Sequence, residues 1–263
     1  MSPALLPAEQ TLTAESLRRR VRAALERDPA DLVLAGARLV NVYSEEIHPA
    51  DVVIRDGTCV AIREGYAGDA VERIELDGRL VIPGLVQSMV PGLTAPLPAG
   101  PGVTTVFGPG AALDAGSLPR ILPTGGRSGV IGRRACATAD EVLACTRAGE
   151  VALLTPPTRL ELVALLEEIV ARNLDTRHVT LSALPDAGVT LLDAVSLAIA
   201  AGIPPVRAVQ LATLHPATHE MVDHLLGSVT PGKRADLVVL EALGDTNPSL
   251  VTFEGTVVFK AGA

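Results

Sequence analysis

The sequence predicts an α/β protein in which a parallel βα module interrupts a small β-sandwich built by both ends of the chain. Three observations carry this. Short β-prone runs separated by Gly and Asp-Gly turns fill residues 31–82 and return after residue 228. Between them, aliphatic strand-like runs alternate with helical periodicity, the pattern of parallel βαβ units. The 263-residue chain is 48% hydrophobic but 2% aromatic, with no tryptophan. Such a core suits parallel strands, whose buried faces are Val-, Ile- and Leu-rich.

The elements follow in order. Residues 1–30 form an N-terminal helical segment. Leu17, Val21, Ala24 and Leu25 recur at helical spacing, with Arg and Glu on the other face. Thr13 stands where an N-cap is needed, and Leu12 and Leu17 are placed for a hydrophobic staple. Residues 31–82 and 228–263 compose the β domain. Its first part holds β-prone runs at 32–34, 39–42, 51–54, 60–62 and 80–82, with Gly36, Asp56-Gly57 and Asp77-Gly78 as turns. Its second part holds runs at 235–240, 250–253 and 256–259, the last two joined by a Glu254-Gly255 turn. Residues 83–227 are the βα module. Strands are expected at 103–107, 129–131, 151–154 and 179–181, and helices at 158–172, 191–201 and 205–214.

Composition narrows the function. Net charge is −8 and the basic groups Arg18-Arg19-Arg20 and Arg133-Arg134 are short, so no nucleic-acid partner is expected. No apolar run reaches membrane-spanning length, and residues 1–20 lack the pattern of a secretory signal. Cys59, Cys136 and Cys145 have no metal-site spacing. Reduced, buried thiols in a cytoplasmic protein are expected.

The most telling stretch is Val81-Ile82-Pro83-Gly84-Leu85-Val86-Gln87-Ser88-Met89-Val90-Pro91. It resembles the first barrel strand of the metal-dependent amidohydrolases, which reads Pro-Gly-aromatic-Ile-Asp-x-His-x-His. Two later stretches strengthen the resemblance. Ala208-Val209-Gln210-Leu211-Ala212-Thr213-Leu214-His215-Pro216-Ala217 is similar to the family's Ala-Thr-x-Asn-Pro-Ala helix. Leu226 to Leu240, with Pro231-Gly232 and Ala235-Asp236-Leu237-Val238, is similar to its Pro-Gly-x-x-Ala-Asp-Leu-Val strand. Within the superfamily the likeness is to adenine deaminase, through Pro29 to Val42, Glu64 to Gly68 and Val103-Thr104-Thr105-Val106.

The resemblance implies a TIM-barrel-like module with a catalytic metal, yet the metal-binding places hold other residues. The two histidine places are Met89 and Pro91, and the aspartate place is Gln87. The Asp-Pro-His-Glu continuation after Val106 reads Gly108-Pro109-Gly110-Ala111. The last-strand aspartate place falls near Ala183 or Leu184, with Asp186 two or three residues late. A hydrolytic metal site takes roughly three protein ligands and an open position. No metal and no cofactor are therefore expected. Length agrees: 88 residues run from Pro91 to His178, about three βα units at roughly 30 residues each. The expected module is a shortened, incomplete barrel of about four to five strands by that arithmetic. Its open edge needs cover from a second copy or a partner protein.

The residual candidates are modest. Asp186 and His178 are the best remaining polar pair for catalysis, placed by this reading near the end of a parallel strand, where α/β sites gather. Gln87 and Ser182 are candidate ligand-binding residues, with a small molecule as the partner. No residue is a metal candidate: His215 and His219 are four apart, but Pro216 interrupts them. The glycine-rich loop 123–129 lacks the Lys-Ser/Thr of a phosphate-binding loop. The favoured reading is an adenine deaminase-like amidohydrolase homologue that has lost metal-dependent hydrolysis and serves as a structural or regulatory subunit or a small-molecule binder. The alternatives are a metal-free acid–base enzyme and a self-associating scaffold.

Overall fold

The computed structural model describes residues 13–88, 100–108, 119–123 and 132–262. Helix α1 (Ala14–Ala24) opens this part, capped by Thr13, whose side chain accepts from the Ser16 N–H. Its inward face is the polar one. Arg19 and Arg20 bond Asp56, and only Ala23 is buried. The stripe Leu17, Val21 and Leu25 faces solvent, about half exposed.

Strands β1 (Ala30–Asn41), β2 (Glu46–Arg55), β3 (Thr58–Arg63), β4 (Ala70–Glu75) and β5 (Leu80–Pro83) follow. Gly36 does not end a strand, as its type suggests. It sits at φ +63° in a bulge that lets β1 run through. Buried Asp51 fixes the bulge by accepting from the N–H groups of Gly36 and Tyr66 at 2.8 and 2.7 Å. The length gained matters: β1 pairs in parallel with β4 along its first half and with β5 along its second.

The second module begins with β6 (Leu85–Gln87), β7 (Val103–Gly108) and β8 (Arg120–Pro123), a parallel three-stranded sheet. A second parallel sheet comprises β9 (Arg133–Cys136), β10 (Val151–Leu154) and β11 (Val179–Leu181), with α2 (Ala139–Arg147) and α3 (Arg159–Ala171) as crossovers. Thr138 and Glu141 form a capping box at the start of α2. After a 3-10 turn (Pro185–Ala187) come α4 (Leu191–Ala200), α5 (Pro205–Gln210) and α6 (Leu214–His219). The helix expected at 205–214 stops at Gln210, and the chain turns before α6 starts. The strand expected at 129–131 lies outside the described residues.

Strands β12 (Leu237–Leu240), β13 (Leu250–Phe253) and β14 (Thr256–Lys260) complete the N-terminal sheet, β12 pairing antiparallel with β5. The sheet has eight strands in the order β14-β13-β12-β5-β1-β2-β3, with β4 beside β1. The expected sandwich is therefore one mixed sheet, because β1 is long enough to bond both groups of strands into one ladder. Among the described residues the parallel module contains six strands rather than four or five. Its strands are only three to six residues long, so each unit uses less chain than a typical one. No pairing joins β8 to β9 among the described residues, so the barrel is not closed.

A buried ion cluster ties the module to the sheet. Arg120 of β8 donates to Asp236 at 2.7 Å, to Glu254 at 2.8 Å and to Thr105 at 3.1 Å, and stacks over the Phe253 ring. Asp236, the acid of the Ala-Asp-Leu-Val stretch, also accepts from the Glu254 N–H. Gly84 lets β6 lie close to β7: a Cβ there would fall 2.3 Å from Thr104 Oγ1.

Candidate functional site

In a parallel α/β module, function gathers where strands end. Strands β6 and β11 end side by side here, and the sequence puts Gln87 and Ser182 at those ends. The two strands do not pair directly. Instead, the turn between α5 and α6 is wedged between them. Val86 N–H donates to Ala212 O at 2.9 Å, and Leu181 N–H donates to Leu211 O at 2.9 Å.

Gln87 spans the rest of this seam. Its Oε1 accepts from the Ala183 N–H at 2.9 Å. Its Nε2 donates to Ser182 Oγ at 2.9 Å and to Ser88 O at 2.7 Å. Gln87, Ser88, Ser182 and Ala183 are all buried. The two candidate ligand-binding residues are thus brought into contact. Both amide hydrogens of Gln87 are already used within the protein. The arrangement binds strand to strand and offers no titrating group.

The candidate pair His178 and Asp186 is not brought together. His178 precedes β11 and Asp186 lies in the 3-10 turn beyond it, so the strand separates them. Chain order alone places them so, since His178 comes before the expected strand at 179–181 and Asp186 after it. Both are exposed, and Gly188 closes the turn at φ +65°.

His178 joins a different group at the N-terminal end of β11. Its ring stacks on His219 at 5.4 Å between centroids, and His215 meets His219 edge-on at 6.5 Å. His215 Nδ1 lies 3.2 Å from Val179 O, and His219 Nε2 lies 3.2 Å from Arg177 O. Burial, followed by the neighbouring rings, pushes His219 down to about 4; burial also lowers His215. Beside them Glu220, its side chain 2% exposed, accepts from Arg133 of β9 at 2.6 Å. Its other oxygen has no partner among the described residues, and burial raises the carboxyl to about 7 despite Arg133.

A polar cleft of about 400 Å³ lies at this end, lined by Glu45, Asp175, Arg177, Arg207 and His215 among others. An apolar cleft of about 370 Å³ lies where Val103 meets Val251 and Phe259. Neither is at the ends of β6 and β11.

A hydrolytic metal centre does not fit the residues present at those strand ends. No group of three His, Cys, Asp or Glu side chains among the described residues is placed to share an ion. Met89, Pro91, Pro109, Gly110 and Ala111 lie outside the described residues, as does most of the loop 123–129. The five histidines, however, are all described: His48, His178, His215, His219 and His224. His48 is on β2, and His178, His215 and His219 are at the opposite end of β11. His224 follows α6 and is exposed.

The thiols are buried, as expected. Cys136 ends β9 and Cys145 lies in α2; burial raises both thiols, and the Cys136 Sγ–H donates to Arg134 O at 3.5 Å. Among the described residues no helix is long and apolar enough to cross a membrane.

Residues 167–261 match the model of the amidohydrolase family. An adenine deaminase of Desulforamulus reducens is 25% identical over 356 aligned positions, covering 94% of this chain and 60% of that enzyme. The alignment is longer than the 263-residue chain, so it is opened by gaps. An adenine deaminase of Rubrobacter xylanophilus is 35% identical over 143 positions, covering 51% of the chain and 24% of the enzyme. Among solved structures, an adenine deaminase superposes with a TM-score of 0.63 at 13% identity, over 87% of this chain and 99% of that one. A β-aspartyl dipeptidase of Fervidobacterium islandicum gives 0.64 at 15% identity, over 88% and 97%. At such identities the structures establish a shared fold.

Proposed function

The chain is an amidohydrolase-superfamily homologue of the adenine deaminases, and from that premise we propose that it no longer carries out metal-dependent hydrolysis and acts as a small-molecule binder or a structural subunit. One observation carries the reading. The ends of β6 and β11 present Gln87, Ser88, Ser182 and Ala183, joined to one another, with no imidazole or carboxylate among them. Neutral amide and hydroxyl groups are poor ligands for a hydrolytic Zn or Fe ion. The sequence supports it further, since none of the five histidines falls in the segments that follow β6, β7 or β8.

Metal analysis and adenine turnover on protein purified from its own host test this together. The expected result is neither stoichiometric Zn, Fe or Mn nor ammonia release from adenine. Stoichiometric metal with turnover would sink it.

A second reading is favoured by the strand edges. β8 and β9 each have one unpaired side among the described residues, and Arg134 and Ala135 of β9 are exposed. Unpaired edges recruit other strands, so a homo-oligomer or a partner protein covering them is the companion proposal. Light scattering tests the homo-oligomer: a dimer or larger assembly is expected, and a monodisperse monomer counts against it.

A further inference from the structure

Helix α6 is where the seam and the histidine cluster meet. Its first residue follows the Leu211-Ala212 wedge that joins β6 to β11. The helix and its C-cap Glu220 are fastened to two strands at once. His215 and His219 reach carbonyls of Val179 and Arg177 at the start of β11, and Glu220 grips Arg133 on β9.

We propose that this turn is a two-sided proton latch on the seam, opened by acid through the histidine rings and by alkali through Glu220. The geometry supplies both limbs. The His178 and His215 rings lie 5.4 and 6.5 Å from the His219 ring, so a charge on His219 beside a second charged ring sets like charges together in a partly buried space. Arg133 from β9 and His178 from the loop before β11 oppose a charged ring; Asp175 and the carbonyls of Thr176, Arg177 and Val179 favour one, and burial outweighs them. On the other limb, deprotonated Glu220 has one buried oxygen with no partner among the described residues, a costly state for a carboxylate. The latch is independent of whether the chain hydrolyses anything.

The signs are opposite. His219 is depressed to about 4, so its contribution to closure is complete above 6.5 and lost as pH falls towards 4. Glu220 is raised to about 7, so its contribution is complete below 4.5 and lost as pH rises through 7. Between pH 5 and 7 the two oppose each other, so closure in the native protein is expected to change less than in a variant lacking either group.

Single substitutions break the balance. Hydrogen-exchange protection factors of the Val86 and Leu181 amides report the seam directly. In Glu220→Gln, opening should become on the order of tenfold easier from pH 7 to pH 5. In His219→Gln it should become harder by a similar factor over the same range. The two profiles slope in opposite directions, which a merely structural role would not produce. Profiles as flat as the native one in both variants overturn the proposal. If either variant fails to fold, the His219 ring titration in the native protein decides: a midpoint below 5 is expected, and one near 6.5 refutes it.

Discussion

Replacing Gln87 with Met tests whether the seam is held by one side chain. Met has nearly the same length and volume and fits irregular space, so the change removes hydrogen bonds with little loss of packing. Three buried groups lose their partner: the Ala183 N–H, the Ser182 hydroxyl and the Ser88 carbonyl. A buried group left unpaired costs about 1–3 kcal/mol. The Ala183 N–H has nowhere else to turn and should cost about 2 kcal/mol. The hydroxyl can rotate and the carbonyl keeps a second lone pair, so each falls near 1 kcal/mol. The sum is about 3–4 kcal/mol, a large part of the 5–15 kcal/mol that holds a typical domain. Urea denaturation at pH 7 should report that loss with an unchanged m-value, and Tm should fall by roughly 10 °C. Ser182→Ala, which removes one bond, should cost about 1 kcal/mol. A loss below about 1 kcal/mol in Gln87→Met would refute the reasoning. It would leave Gln87 as a side chain more important to a ligand than to the fold.

Three further outcomes are expected. Gly84→Ala should destabilise by about 1–3 kcal/mol in a denaturant melt, since its Cβ would meet Thr104 Oγ1 at 2.3 Å; Thr104→Ala should recover part of the loss. Asp236→Ala should cost about 3–5 kcal/mol by leaving Arg120 buried without its closest partner, and the Arg120→Met/Asp236→Leu pair should be milder, as a double-mutant cycle on the melting free energies would register. Burial, with Asp236 nearby, pushes the Cys59 thiol up to about 12; its contribution is complete below pH 9 and is lost as pH rises through 12. Stability should therefore fall above pH 9 by an amount that Cys59→Ala reduces, measured by melts from pH 8 to 11, and the native thiol should resist a thiol reagent at pH 8.

Much of the fold is legible because its signals are local. The strands at 103–107, 151–154 and 179–181 and the helices at 158–172 and 191–201 carry clear periodicity, and the structure repeats them within a residue or two. Gly36 misleads because its turn-forming conformation is used in a bulge, and Asp51, fifteen residues away, holds it there. Helix α2 has a mixed face, yet Thr138 and Glu141 spell its capping box plainly. The apolar stripe of α1 predicts the wrong inward face, because three arginine bonds to Asp56 outweigh it. At the site, the sequence identifies Gln87 and Ser182 as worth attention, but contact between residues 95 apart is a product of topology. The histidine cluster is equally hidden, since His178 reaches His219 only once β11 and α6 are side by side.

The pairing of β5 with β12 sets an order of events during synthesis. Leu80, Val81 and Ile82 leave the ribosome with one edge of their ladder empty, and Val238 to Leu240 follow roughly 150 residues later. At 5–20 residues per second the edge waits about 10–30 s. Throughout that interval an aliphatic strand, flanked by the already complete β1–β2–β3 hairpins, is open to any other strand nearby. The nascent chain is therefore at greatest risk of mispairing at β5 until Leu237–Leu240 arrive to cover that edge.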